Sequence, residues 1–463
     1  MKTAVVKRHD IANAPVMRID ASFQLSEGVS VRRIIADCPY PVVKCGDVME
    51  RIWHAGRWKR VYVNNPKTGI PLVGSSAMLK SDLSDIKLIS RKYTEDMADK
   101  MLHPGWILVS CSGTIGNTVF TNTGHAGKLA SQDVLRLKPK DILGGGYLYA
   151  YLSSKYGYAM LTQGTFGAVI QHIEPANVST IPVPVFPEEM QKEIDQLIRD
   201  AASLRDKAAE FFDKAKYILQ ESIGVTFDKT NGYRTASISI KDIRSSLKMR
   251  LDPPVFVNDG VEMLERISDK TQPLKECNVT LSYPGMFKRS YVRDGYPYMK
   301  GSDVFDVNPF AHCEYLSKTR TPNLDQLWLR DGLILISCAG ACGLIKLITK
   351  EYEDKQAIGS PDIIRLKSND ALFTSEYLYT YLSLPSSYDY MQSLKYGAVI
   401  ERFDVQNIET VPIFIPTKEL SATITGIIRE YKDCLYRAFC KEEKAISMVE
   451  TEIESWDKNK HNK

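Results

Sequence analysis

One series of short motifs runs through this chain twice. The run Ile107-Leu108-Val109-Ser110-Cys111-Ser112-Gly113-Thr114-Ile115-Gly116 returns as Ile334-Leu335-Ile336-Ser337-Cys338-Ala339-Gly340-Ala341-Cys342-Gly343, 227 positions later. Gly167-Ala168-Val169-Ile170 returns as Gly397-Ala398-Val399-Ile400, 230 positions later. Between them, Ser131-Gln132-Asp133-Val134 answers to Ser360-Pro361-Asp362-Ile363, and Tyr147-Leu148-Tyr149 to Tyr377-Leu378-Tyr379. The series opens on Met17-Arg18-Ile19-Asp20 and Met249-Arg250-Leu251-Asp252, and closes on Ile181-Pro182 and Val411-Pro412. A collinear series with so little drift means two copies of one folding unit. The period is far too long for a solenoid and fits a domain with a connecting element.

Composition narrows the class. Of 463 residues, 44% are apolar and 25% charged, ordinary for a chain that buries real cores. The first eight residues hold no apolar stretch of signal-peptide length. The longest apolar segment, 333–348, carries Lys346 and several glycines and is too short to span a bilayer. A cytoplasmic location with reduced thiols is therefore expected for the nine cysteines. None forms a CxxC pair, and no zinc set is apparent. Cys111 and Cys338 hold equivalent places in apolar strands and should be buried as small hydrophobes. The formal charge of +4 argues against a uniformly basic surface, so nucleic-acid contact would come from local patches.

Each copy reads as short strands broken by turns. Arg60-Val61-Tyr62-Val63 ends in the turn signal Asn64-Asn65-Pro66. Further strands are expected at 106–111 and 134–137, and a helix over 147–160. The prolines of Ile181-Pro182-Val183-Pro184 forbid a central strand and predict an extended edge. After Pro187, residues 188–221 contain no Gly or Pro. Met190, Ile194, Leu197, Ala201, Leu204, Ala208, Phe211, Ala215 and Ile218 fall at alternating spacings of 4 and 3, a heptad seam. Leu420, Ile424, Ile427, Tyr431, Cys434, Ala438, Ala445 and Met448 repeat it, interrupted by Lys441 where the first copy has Phe211. Helices of roughly 50 Å, at 1.5 Å per residue, outrun a single domain. They are expected to pack on each other as a coiled coil rather than each on its own domain. The predicted class is α+β: two tandem β-rich globular domains separated by two long helices. The expected boundaries are 1–187 for the first domain, 188–222 for the first helix, 223–416 for a linker plus the second domain, and 417–463 for the second helix.

This layout, with these motifs in it, resembles the specificity subunits of type I restriction–modification enzymes over nearly the whole chain. The resemblance implies that each globular part is a target-recognition domain for one half of a bipartite, asymmetric double-stranded DNA site, with the helices as a ruler between them. It implies a chain without catalysis or cofactor of its own. Adenine methylation with S-adenosylmethionine would belong to two modification subunits, and ATP- and Mg-dependent cleavage to restriction subunits. The second copy departs from the first at Ser360-Pro361-Asp362 and Ala339-Gly340-Ala341-Cys342-Gly343, which puts equivalence of the two loops in question.

A reader of duplex DNA needs cations for phosphates and polar groups for base edges. Arg57, Lys59 and Arg60 form one basic cluster, with Lys288, Arg289 and Arg293 as its repeat mate and Lys318 and Arg320 as a third. Such runs are commonly no more than solvated faces, but here the basic character recurs in both copies. Gln171-His172 and Glu401-Arg402 differ after identical Gly-Ala-Val-Ile runs and are candidate base readers. The stretches 79–103 and 303–331 correspond little, and base contacts are expected there. Two rivals remain. Asp252-Pro253-Pro254-Val255 is close to the Asp-Pro-Pro-aromatic loop of an adenine methyltransferase, but it has Val255 where an aromatic would stack on the flipped base. A coiled-coil scaffold without DNA recognition is the other. No GxxxxGK[ST] phosphate loop is present.

Overall fold

The computed structural model describes residues 6, 8, 11, 21–84, 86–163, 172–227, 235, 237–245, 249–397, 399 and 401–458. It divides into two compact units, Met1–Asp206 with Arg437–Lys463, and Lys207–Tyr436. This division runs across chain order, because each unit takes part of both long helices.

After a short helical turn at Ala21–Gln24, the first unit has helix α1 (Glu27–Ala36) and strands β1 (Val42–Lys44) and β2 (Met49–Trp53). Strands β3 (Tyr62–Val63), β4 (Gly69–Val73), β5 (Leu88–Ser90), β6 (Ile107–Ser110) and β7 (Thr118–Phe120) follow. After β8 (Leu129–Ala130) and β9 (Val134–Pro139) come helices α2 (Gly145–Ser153) and α3 (Lys155–Gln163) and strand β10 (Pro182–Pro184). One four-stranded sheet has the order β2-β9-β6-β7, a second β3-β5-β4-β8, and β1 pairs with β10. Every residue of β6 is buried, as a central strand of Ile, Leu and Val demands. Ile107 lies opposite both Phe120 and Leu137.

The second unit repeats this plan. Helix α5 (Asp259–Arg266) precedes β11 (Thr271–Pro273), β12 (Val279–Ser282), β13 (Tyr291–Val292), β14 (Tyr296–Met299) and β15 (Glu314–Leu316). Then come β16 (Ile334–Ser337), β17 (Ile345–Leu347), β18 (Ile358–Gly359), β19 (Ile363–Ser368), α6 (Ser375–Leu382), α7 (Pro385–Ser393) and β20 (Pro412–Phe414). Its sheets run β12-β19-β16-β17 and β13-β15-β14-β18, with β11 paired to β20. Strand for strand, the order equals that of the first unit. The stretches with little sequence correspondence, 79–103 and 303–331, therefore share a frame: β5 and β15 occupy the same place in their sheets.

The helix expected over 147–160 is two helices. Ser154 adopts an extended conformation between them, donating its Oγ–H to the Tyr151 carbonyl (2.6 Å) and accepting the Gly157 N–H (3.2 Å). The tyrosines at i, i+4 spacing clamp the proline strand. Tyr147 and Tyr151 donate to the carbonyls of Pro184 (2.6 Å) and Pro182 (2.5 Å), and Tyr377 and Tyr381 to those of Phe414 (2.7 Å) and Pro412 (3.0 Å). Close approach also recurs. A Cβ on Gly28 would lie 2.6 Å from Gln163 Cβ, and one on Gly260 2.3 Å from the Tyr390 backbone nitrogen. Only glycine lets α1 and α5 pack so tightly on α3 and α7.

Helix α4 spans Glu188–Ile223 and helix α8 spans Lys418–Lys458. In the first unit they run antiparallel, with Glu193 against Lys444 and Asp200 against Lys441, both at 2.8 Å. They also bury against the globular core. Ile194, Ile198, Ala202, Ala445, Val449, Ile453 and Trp456 share one cluster with Tyr147 and Leu148. In the second unit Ala215, Leu219, Ile223, Ile424 and Ile428 share one with Tyr377 and Leu378. The choice posed by the sequence, helix on helix or helix on domain, is resolved as both. The seam drifts accordingly. Ile194, Ala201, Leu204, Ala208, Ala215, Ile424, Cys434, Ala438 and Ala445 are buried, whereas Met190, Leu197, Phe211, Ile218, Leu420, Ile427, Tyr431 and Met448 are half-buried. Ile198, Leu219 and Ile428 take buried places outside the strict heptad. A helix of 3.6 residues per turn drifts from a 3.5 repeat, and a wide apolar face serves two neighbours.

Candidate nucleic-acid interface

Three segments that are distant in sequence meet in each unit. In the first they are the glycine loop after β6, the Ser-Gln-Asp turn before β9, and the segment after the Gly-Ala-Val-Ile run. The Cys111 N–H donates to the Asp133 carbonyl (3.1 Å), and the Ile173 N–H to the Cys111 carbonyl (3.1 Å). The Ser112 hydroxyl meets His172 Nδ1 at 3.0 Å. In the second unit the Phe403 N–H donates to the Cys338 carbonyl (3.2 Å) and the Gly340 N–H to the Glu401 carbonyl (3.2 Å). Ala339 and Tyr396 each form a β-bridge with Arg402. The loop glycines Gly113, Gly116, Gly340 and Gly343 all have positive φ, which lets the chain reverse directly behind the buried strand.

The thiols at the root of these loops are structural. Burial pushes Cys111 up to about 12 and Cys338 up to about 11, so both stay protonated and unreactive. Beside them two buried arginines hold the passage between sheets. Arg136 donates to the Ala130 carbonyl (2.6 Å), and Arg365 to those of Gly359 (3.0 Å) and Ser360 (3.2 Å). Desolvation lowers both guanidinium groups to about 10.

The basic clusters lie next to this junction. Arg60 reaches Asp133 (3.4 Å), and Arg289 reaches Asp362 (3.6 Å). Each aspartate also accepts from the serine two residues before it, Ser131 (3.4 Å) or Ser360 (3.2 Å). Arg60 lies over the Trp58 ring (5.3 Å), and Arg289 donates to the Tyr298 hydroxyl (2.7 Å). These two arginines are thus oriented, half-buried members of the frame. Arg57, Lys59, Lys288, Arg293, Lys318 and Arg320 are exposed. Lys318 sits over the Tyr296 ring at 5.8 Å. Exposed Tyr62, Tyr283, Tyr291 and Met286 interleave with them along the edge strands β3 and β13 and the loop before β13. Cations alternating with aromatic and apolar groups suit a nucleic-acid surface.

The structure places His172 half-buried against Ser112, and Glu401 and Arg402 exposed. Gln171 and the first Gly-Ala-Val-Ile run lie outside the described residues. Sequence reasoning nominated neither Asp133 nor Asp362, although both copies carry an aspartate there. It also passed over the Glu174 carboxylate, 3.2 Å from His54 Nε2. Among the described residues, no group of three or more His, Cys, Asp and Glu side chains could hold a metal ion. No helix of the described residues is long and apolar enough to cross a membrane.

Residues 39–201, which span the whole first junction, match the family described as the type I restriction modification DNA specificity domain. Their motifs and sheet order recur in the second unit. The first unit is thus similar to a type I restriction modification DNA specificity domain over residues 39–201. The chain is similar to the solved type I S subunit from M. genitalium at 12% identity, covering 90% of this chain and 96% of that one, with a TM-score of 0.32. It is likewise similar to the HsdS subunit from Thermoanaerobacter tengcongensis at 14% identity, covering 90% and 96%, with a TM-score of 0.27. No curated protein sequence matches. The match is to a DNA specificity domain and does not favour the methyltransferase reading of Asp252-Pro253-Pro254. Its carboxylate is held by the fork of Arg250, with Nε to Oδ1 at 2.8 Å, which lowers its pKa and ties it to the frame. The equivalent Arg18 and Asp20 lie outside the described residues.

Proposed function

We propose that each unit reads one half of a bipartite, asymmetric double-stranded DNA site through its three-segment junction. The carrying observation is the pairing of sameness and difference there. Arg60–Asp133 and Arg289–Asp362 recur, while Ser112–His172 in one unit stands where Ala339–Arg402 stands in the other. The recurring pairs set register on phosphates, and the unlike residues select bases. His172 brings an imidazole set by Ser112, whereas Arg402 brings a fork suited to guanine O6 and N7.

In this reading the chain performs no chemistry. Two modification subunits methylate adenine using S-adenosylmethionine, and restriction subunits use ATP and Mg to translocate and cleave. The exposed cations Arg57, Lys59, Lys288, Arg293, Lys318 and Arg320 supply the salt-dependent share of affinity. Methylome sequencing of a host expressing this chain with its modification partner tests the proposal. The expected result is a two-part asymmetric motif that disappears without the chain. His172→Ala should relax one half of it and Arg402→Ala the other. A motif unaltered by both substitutions, or altered in the same half by both, would sink the assignment.

A further inference from the structure

We infer that the long helices carry a mating code: each half of this chain pairs with the complementary half and rejects a second copy of itself. The basis is a difference between two equivalent places. Across the helix entries the repeat offset is 230, which makes Tyr149 equivalent to Tyr379, Arg205 to Leu435, Ala201 to Tyr431, and Phe212 to Glu442. In the first unit, the Tyr149 hydroxyl and the Arg205 guanidinium both donate to Glu442, whose side chain is 2% exposed. In the second unit, the Phe212 ring stacks on Tyr379 with centroids 5.0 Å apart at 17° and lies 5.3 Å from Tyr431. Tyr379 and Tyr431 stack in turn at 5.9 Å, their hydroxyls 3.1 Å apart. A charge pair on a buried carboxylate closes one unit, and an aromatic stack closes the other.

In each unit the closing residue comes from the opposite half of the chain: Glu442 in the first, Phe212 in the second. Two copies of the first half would put Phe212 in the place of Glu442. Arg205, whose side chain is 17% exposed, would then lose the carboxylate that now pairs with it. Two copies of the second half would put Glu442 among Tyr379, Tyr431 and Leu435. Lys432 of that helix is already held by Asp331 at 2.9 Å. Burying one charge after removing its partner shifts an equilibrium by about 100-fold or more, and each homotypic pairing would do so twice. The surface therefore fits one kind of partner: a half whose closing residue matches, whether it belongs to the same chain or to another copy.

The test uses the full chain with a protease recognition sequence inserted after the exposed Ser237. The folded protein is nicked, unfolded in denaturant, refolded, and its species weighed by native mass spectrometry. The unaltered residues should return the heterotypic pair, with homotypic pairs at or below about one part in a hundred. Arg205→Leu with Glu442→Phe gives the first unit the residues of the second and should yield a binomial mixture. In the intact, un-nicked chain, each single substitution should lower the denaturation midpoint and the pair should recover most of the loss. A binomial mixture from the unaltered residues, or an exclusively heterotypic double variant, overturns the inference. So do simply additive effects in the intact chain, which decide alone where nicked halves do not refold.

Discussion

Lowering the pH from 7 to 5 should destabilise the first unit through a single histidine. His125 closes the turn Thr123–His125, is 7% exposed, and accepts the Asn122 backbone N–H on Nδ1 at 3.2 Å. Burial, with Lys128 and Arg205 adding positive potential, lowers its pKa from 6.5 to about 4. The folded state thus holds the ring neutral, while the unfolded chain takes up a proton below 6.5. The stabilising contribution is present above pH 6.5 and is lost as pH falls toward 4. A gap of about 2.5 units at about 1.36 kcal/mol each gives a full loss of about 3 kcal/mol, of which about 2 kcal/mol falls between pH 7 and 5. The consequence reaches a long helix, because the same turn offers the N–H groups of Thr123 and Gly124 to the Asp206 carboxylate at 3.3 and 3.4 Å. Urea unfolding followed by tryptophan fluorescence reports mainly this unit, which holds Trp53, Trp58, Trp106 and Trp456, with Trp328 in the other. His125→Gln should be less stable at pH 7 but lose about 2 kcal/mol less than wild type on going to pH 5. Equal losses for the two proteins would refute the reasoning, since carboxylate titrations elsewhere are common to both.

Three further outcomes follow from named contacts. Gly260→Val should cost the second unit about 1–3 kcal/mol in thermal or chemical denaturation, because the new Cβ would meet the backbone of α7. An unchanged midpoint would show that the two helices separate freely. Tyr147→Phe should cost about 1–3 kcal/mol by leaving the buried Pro184 carbonyl unpaired, measured by the same unfolding assay. Lys288→Ala, assayed by fluorescence anisotropy with the modification partner present, should weaken DNA binding equally on all sequences. It should also reduce the slope of log K against log salt by about 0.9 if it contacts one phosphate. A sequence-selective loss with an unchanged slope would instead make Lys288 a base reader.

The repeat alone made two equivalent units necessary, and strong local signals carried their strands. The buried run Ile107–Ser110 and its copy Ile334–Ser337 are apolar throughout, so they read as central strands without help. The long helices were legible because 34 residues free of Gly and Pro with an apolar stripe leave few alternatives. The break at Ser154 was not legible, because a serine continues a helical pattern unless its hydroxyl finds a better local partner. Nor was the pairing of Arg60 with Asp133, which are 73 positions apart and meet only when two sheets share a corner. The seam shows the division most clearly. Lys441 stands out in sequence as the polar intruder, yet it is half-buried and meets Asp200 at 2.8 Å, while the neighbouring Glu442 is the carboxylate that is buried. Helical periodicity determines which residues share a face. Which face turns inward, and what must be there to meet it, depends on neighbours about 240 residues away, such as Arg205, 237 positions from Glu442. Sequence by itself therefore determined the duplication and the class of element. Tertiary structure decided which charges are paired, which loops converge, and which helix residue closes each unit.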